Sequence, residues 1–478
     1  MNTGKRSRLI SRALKIALLI VAAYTVYALG ASTLAHAFPK SVSETARQRF
    51  DSTDFYGGET AGPDRVLLAE TARDGLNLRL ELVRSAQESL DIVSHNILAG
   101  DSTAAFLGEV LLAAERGVQV RLLTDAKVGT EEEAGAILRL LDTHENISCR
   151  GFNPLNLLKP WAWHTVLHDK FILVDDTYLL LGGRNLDDRF FAPAGYEGRV
   201  ADDREVLVWG DTSAQSVLPD AAAYMDLLWG SPLSDGRPGR LRATDPAPAA
   251  LFERTAAFEA QNPDFFATDL EDYLAGMLPT GKVSLIYNPV AVGQKEPWVG
   301  YQLRALALDA TRSVLIQTPY ATANRLLLDA LTLAGQDAEV VYLTNSMAGS
   351  PNIPAFSNYY YNRVRFVRTG AALYEYQSVH SIHGKAIVID GRLSAIGSYN
   401  LDDRSLHLDT ETMLIIDSEP LAAQLTAAMG EYMARSLLVG PDNRYVSSPQ
   451  VRALPVPPMK QAFMFTGSVF SRMFQFLV

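Results

Sequence analysis

The sequence predicts an α/β protein made of two homologous lobes related by a pseudo-twofold axis, with its functional site at their interface. One observation is a long internal repeat. His168, Lys170 and Asp175 precede Gly182-Gly-Arg-Asn-Leu-Asp-Asp-Arg189; His383, Lys385 and Asp390 precede Gly397-Ser-Tyr-Asn-Leu-Asp-Asp-Arg404. The offset never changes: 383 minus 168, 390 minus 175 and 404 minus 189 all give 215. Two copies of so long a pattern in one register are not chance. The other observation is that helical stretches alternate with short β-rich runs in the same order around each copy, the pattern of a layered α/β domain.

With 478 residues, 48% of them hydrophobic, the chain has material for two or three domains with large cores. A net charge of −11 means that a polyanion would bind against the average field of the molecule, so no nucleic-acid partner is expected. Cys149 is the sole cysteine. It has no disulfide partner and no second thiol to share a metal, and reads as a small buried hydrophobe.

Residues 1–37 read as a basic segment followed by a membrane anchor or signal. Lys5, Arg6, Arg8, Arg12 and Lys15 have no acidic neighbour, and an apolar run extends from Ile16 to Ala35. Twenty helical residues at 1.5 Å each cross the roughly 30 Å hydrocarbon layer. If the segment spans, the basic flank stays in the cytoplasm and the remainder lies on the outer side of the membrane on a single anchor. Ala35-His36-Ala37 also has the small-x-small form of a cleavage site, which would make the protein secreted. Retention is favoured because the apolar run reaches almost to that site.

Residues 38–64, with Pro39, Gly57, Gly58, Gly62 and Pro63, read as a linker or extended lead-in. The first lobe is set at 65–230. Leu76, Leu80, Val83 and Ala86 recur at helical spacing within 75–89, a strand follows at 90–94, a helix at 104–116 and a strand at 118–124, then motif strands at 171–174 and 179–181. Residues 231–280 are a connector, Pro/Gly-rich to 248 and helical to 277. The second lobe, 281–440, repeats the order: strands at 283–287 and 314–318, a helix at 324–334, a strand at 339–344, then the second motif. Residues 441–478 are a C-terminal tail ending in a Met- and aromatic-rich run. Two readings stand for it: a segment in the membrane interface, or one packed on the domain.

Two histidines, two lysines and two asparagines in one cleft suit phosphodiester chemistry. Lys170, Lys385, Asn185 and Asn400 would cradle the non-bridging oxygens and stabilise charge that develops there. One neutral imidazole can attack phosphorus while a protonated one opposite gives its proton to the leaving alkoxide. No metal and no cofactor is required. Each histidine needs an orienting group on its other nitrogen, and a carboxylate enters a strand downstream of each motif: Asp203, with Glu205 as a rival, and Glu411. Asp175 and Asp390 complete the catalytic motif by pattern but end hydrophobic strands, and receive a structural role. His164 and His380 read as cleft wall, and Tyr359, Tyr360 and Tyr361 as a packed aromatic patch rather than a lipid pocket.

Across roughly residues 76–435 the chain resembles the phospholipase D superfamily, whose signature is HxKxxxxD followed by GxxN in two copies. The resemblance implies paired phospholipase D-like α/β lobes, metal-free chemistry through a phosphohistidine, His168 as nucleophile and His383 as general acid. Within the superfamily, 113–125, Gly182-Gly-Arg-Asn-Leu186, 343–348 and 372–375 resemble the bacterial cardiolipin synthases of the C type. That implies transfer of a phosphatidyl group to a hydroxyl of phosphatidylglycerol at a membrane, with phosphatidylglycerol or phosphatidylethanolamine among the substrates. The alternatives are a phospholipase D that releases phosphatidic acid and a phosphodiesterase or nuclease of the same superfamily. Donor lipid, partner protein and oligomeric state stay open.

Overall fold

The structure, a computed structural model, describes residues 3–210, 213 and 215–473. Its first half holds strands β1 (Arg65–Ala69), β2 (Ser89–Ser94), β3 (Gln119–Asp125), β4 (Ile147–Phe152), β5 (Phe171–Val174), β6 (Tyr178–Gly182) and β7 (Glu205–Trp209). The second half holds β8 (Lys282–Tyr287), β9 (Ser313–Gln317), β10 (Glu339–Asn345), β11 (Ala372–Tyr376), β12 (Lys385–Ile389), β13 (Leu393–Gly397) and β14 (Thr412–Asp417). The spatial order is β4-β3-β2-β5-β6-β7-β1 in one sheet and β11-β10-β9-β12-β13-β14-β8 in the other, so each strand has its counterpart seven places on. Directions match too: the first three strands of each order run parallel and the rest antiparallel. Each sheet gains one short edge strand, Leu278–Pro279 beside β1 and Ser436–Leu438 beside β11.

Strand residues alternate between cores because both sheet faces are covered. Ile172 and Val174 point into the first lobe's own core, and Ile387 and Ile389 into that of the second. Phe171, Leu173, Ala386 and Val388 share a third core between the sheets, together with Tyr224 and Met225 of helix Leu218–Trp229 and Leu425 and Met429 of helix Glu419–Met433. The lobe interface therefore carries a continuous apolar core, and the cleft at its rim is built on the ends of its strands.

The expected strands fall within a residue of those observed. Helix starts shift further because caps set them. The helix expected at 75–89 is Ala72–Ser85, started by the Thr71 hydroxyl accepting from the Asp74 N–H. That expected at 104–116 is Asp101–Glu115, whose first N–H groups, on Asp101 and Ser102, donate to the Asp188 carboxylate of the first motif. Asp187 and Asp402 cap the short helices Asp188–Phe191 and Asp403–His407 in the same way. Cys149 is buried in the first core.

Residues 38–64 lie against the second lobe before the chain enters the first: Phe55 joins its core and the Gly57 N–H donates to Asp417 at 2.8 Å. In the connector, helix Pro248–Gln261 lays Leu251 and Phe258 on the first core. The tail forms helix Pro458–Met473 along helix Ile353–Val367, with Met464 buried against Ser357 while Met459, Phe463 and Phe465 stay exposed. Tyr359 is fully buried and donates to Glu375 at 2.8 Å, so the three tyrosines begin in packing, as expected.

Candidate active site

Each half-site is completed by the other lobe. Leu167 bridges Thr410, and the His168 N–H donates to the Thr410 hydroxyl at 3.0 Å. The equivalent strap pairs Ser381–Ile382 with Ala201–Asp202, and the His383 N–H donates to the Asp202 carbonyl at 2.6 Å. These straps cross the histidines: His168 Nδ1 lies 3.0 Å from Glu411, and His383 Nδ1 lies 2.5 Å from Asp203. Asp203 and Glu411 are the equivalent residues just ahead of β7 and β14. Glu205, the rival for Asp203, is bound instead by the guanidinium groups of Arg79 and Arg184.

Lys170 and Lys385 start strands at the same depth and fold back, each Nζ donating to the carbonyl of its own motif histidine. Lys385 also reaches the His383 ring at 2.8 Å and stands 3.8 Å from Asp203. Asn185 and Asn400 are buried, and the side-chain oxygen of each has no hydrogen-bond partner among the described residues. Buried amides of this kind are normally satisfied, so these two are available to something other than the fold. His168 and Asn400 line a cleft of about 470 Å³ together with His95, Lys127, Trp163 and Arg404.

Burial dominates the electrostatics, and neighbouring charges decide the rest. Burial, then Lys170 and His95, holds His168 well below the usual imidazole range. Burial and Lys385 lower His383 to about 4, with Asp203 pulling the other way. Burial pushes Glu411 well above the carboxylate range despite the opposing field of Lys170. Burial acts likewise on Asp203, but Lys385 and His383 overcome it and keep that carboxyl far below its ordinary value. Burial and Lys385 bring Lys170 down to about 7. Burial thus wins at the carboxyl facing His168, and the neighbouring cations win at the carboxyl facing His383.

Grouping Asp175 and Asp390 with the catalytic residues is corrected by their position. They sit at the far ends of β5 and β12 from the lysines, at φ 50° and 53°. Asp175 accepts the N–H groups of Gln87, Glu88 and Ser89, and Asp390 those of Thr311, Arg312 and Ser313, all at 2.8–2.9 Å. Each ties a strand end to a preceding loop. His164 hydrogen-bonds Ser32 of the N-terminal helix at 2.7 Å. His380 accepts from the Val200 N–H at 3.0 Å. Three cleft groups lay outside the sequence reading. His95 packs its ring 4.9 Å from that of His168 and reaches the Leu167 carbonyl at 2.6 Å; Arg404 bonds Asp409 and the His164 carbonyl, and Lys127 bonds the carbonyls of Asn153 and Thr165. The available signal was position: His95 and Lys127 follow parallel strands β2 and β3, whose carboxyl ends are where α/β sheets gather ligand groups.

The N-terminal helix runs from Thr3 to His36, and its stretch Ile10–His36 contains an apolar window with a mean hydropathy of 1.9 that is almost wholly exposed. Among the described residues it is the one helix long and apolar enough to cross a membrane.

Comparison with known proteins agrees with this geometry. Residues 80–210 and 303–433, more than half of the chain, match the family described as cardiolipin synthase, PLD-like domain. Cardiolipin synthase C of Escherichia coli K12 is 29% identical over 392 residues, 74% of this chain and 81% of the relative. Cardiolipin synthase A of Yersinia pseudotuberculosis is 23% identical over 411 residues, 84% and 76% of the two chains. An uncharacterised protein of Helicobacter pylori J99 is 24% identical over 413 residues, 78% and 80% of the two. The crystal structure of phosphatidylserine synthase from Haemophilus influenzae shares the fold, with a TM-score of 0.61 at 15% identity, over 86% of this chain and 95% of that one. The chain belongs to the cardiolipin synthase, PLD-like domain family and is a phospholipase D-type phosphatidyltransferase.

Proposed function

We propose that the protein makes cardiolipin by transferring a phosphatidyl group to phosphatidylglycerol through a phosphohistidine on His168. The observation that carries this reading is the crossed pairing of two histidines with unlike carboxyl groups. When neutral His168 carries its one ring proton on Nδ1 and donates it to a Glu411 oxygen, Nε2 is left with its lone pair free for attack, and the lowered basicity of the ring keeps a second proton off it. The N–P bond forms as the bond from phosphorus to the headgroup oxygen breaks, and His383 supplies the proton that oxygen takes. Ionised Asp203 stabilises the imidazolium form of His383 that this step needs. The glycerol hydroxyl of phosphatidylglycerol then attacks phosphorus, returns a proton to His383 and frees His168. Lys170, Lys385, Asn185 and Asn400 hold the phosphoryl oxygens in both steps.

The apolar helix serves as a single membrane anchor, and confinement to a lipid surface favours an alcohol over water as second nucleophile. The names of the relatives support cardiolipin as product. The test is purified enzyme in phosphatidylglycerol micelles, with and without phosphatidylethanolamine, with lipids identified by mass. Cardiolipin is the expected product, and its dependence on phosphatidylethanolamine names the donor. Phosphatidic acid alone would make the enzyme a hydrolase with the same site.

A further inference from the structure

Residues 154–163, between β4 and His168, form a surface loop with an unusual inventory. Leu155, Leu157 and Leu158 are 61%, 57% and 78% exposed, an apolar cluster that water does not favour. Its backbone is nevertheless well satisfied. The Asn156 carbonyl accepts from Trp163 Nε1 and the Lys159 N–H, and the Lys159 and Pro160 carbonyls accept from the N–H groups of Ala162 and Trp163. The Leu157 and Leu158 carbonyls accept, at 2.8 Å each, from the hydroxyls of Tyr24 and Tyr27 on the apolar helix. Five successive carbonyls, those of residues 156–160, are thus bonded within the protein while the leucines turn outward, which lowers the cost of placing this stretch of non-helical chain against lipid.

The helix fixes the depth. Tyr27 and Tyr24 lie nine and twelve residues before His36, about 14 and about 18 Å along the axis at 1.5 Å per residue. A loop bonded at those levels lies about half a bilayer's hydrocarbon thickness from the helix end. It also leads straight into the chemistry. The Asn153 amide closes the loop base by donating to the carbonyls of Ala162 and Thr165, Trp163 lines the catalytic cleft, and His168 follows three residues after Thr165.

We propose that the 154–163 loop and the Tyr24–His36 half of the helix form one wedge inserted in the adjacent leaflet, which sets the mouth of the cleft at the level of the acyl chains. Lipid would then reach His168 by lateral movement along the wedge, without leaving the bilayer. The proposal rests on the helix being a membrane anchor, and its test separates the two.

Variants with one added cysteine, Leu158→Cys, Ile20→Cys or Leu241→Cys, of the full chain, in liposomes, carry an environment-sensitive label; buried Cys149 stays unlabelled. The expected result is quenching at 158 and 20 by nitroxide lipids, with little access of iodide, and the reverse at 241. Iodide access at 158 with lipid quenching at 20 would overturn the wedge and keep the anchor. Iodide access at both would overturn both, and a label at 158 shielded from both quenchers would indicate a protein partner and overturn the wedge. In a second measurement, the triple variant Leu155→Ser, Leu157→Ser, Leu158→Ser should lose about tenfold or more of its turnover on vesicles. Its turnover on monomeric short-chain phosphatidylglycerol should stay within about twofold of wild type. Equal loss on both substrates would contradict the wedge.

Discussion

His168 with Glu411 and His383 with Asp203 occupy equivalent places in two sheets of the same strand order, yet the two carboxyls are pushed in opposite directions, Glu411 upward by burial and Asp203 downward by Lys385 and His383 against burial. Small differences around the pairs go with this. Ser398 donates to Glu411 at 2.5 Å, whereas its counterpart Gly183 has no side chain, and a Cβ there would overlap the Asp203 carboxylate. Both lysines donate to the carbonyl of their own histidine, and Lys385 in addition touches the His383 ring and stands near Asp203. A duplicated scaffold thus yields two unlike half-sites, one suited to an unprotonated nucleophile and one to a proton carrier.

The strongest way to break the comparison is to remove each histidine. His168→Ala should lower turnover by at least about 10⁴-fold with any leaving group. His383→Ala should do the same with a lipid headgroup but recover most activity with a p-nitrophenyl phosphodiester, whose leaving group needs no proton. Equal rescue of both variants would erase the asymmetry. Next come the carboxyls. Asp203→Asn removes the charge that stabilises protonated His383 and should cost about 10²- to 10⁴-fold in kcat. Glu411→Gln changes a carboxyl that burial already pushes toward its neutral form and should cost about tenfold or less. Steady-state kinetics on both variants measures the difference.

Acid stability sharpens the same point. Free imidazole titrates near 6.5, while His168 is held well below that and His383 near 4. The unfolded chain therefore binds more protons between pH 6.5 and about 4, and stability falls as pH drops through that window. The fall in Tm should be shallower in either histidine-to-alanine variant. The smallest effect on activity belongs to the loop-tying carboxylates. Asp175→Asn or Asp390→Asn should cost about 1–3 kcal/mol by denaturant unfolding and leave kcat nearly unchanged.

The two-lobed fold and the histidine, lysine and asparagine set were legible because the motif occurs twice in register and its strands are buried on both faces. The crossed partners were not: strand order places Asp203 and Glu411 downstream of their own motifs, and only the interlobe straps exchange them. Helix starts were blurred because Asp188 caps a helix that lies 87 residues earlier in the chain. The lead-in looked like a linker because its turn-rich composition hides its anchors, Phe55 in the core and the Gly57 N–H on Asp417. His95 was passed over because nothing in a lone histidine after a strand tells its distance from His168.

The most direct test is to identify the covalent intermediate. Enzyme mixed with a phospholipid labelled in its phosphate, quenched in alkali and digested, should carry the phosphatidyl group on the peptide containing His168, with more adduct in the His383→Ala variant when the p-nitrophenyl substrate is used. An adduct on His383, or none on either histidine while product forms, would contradict the assignment of the two half-sites.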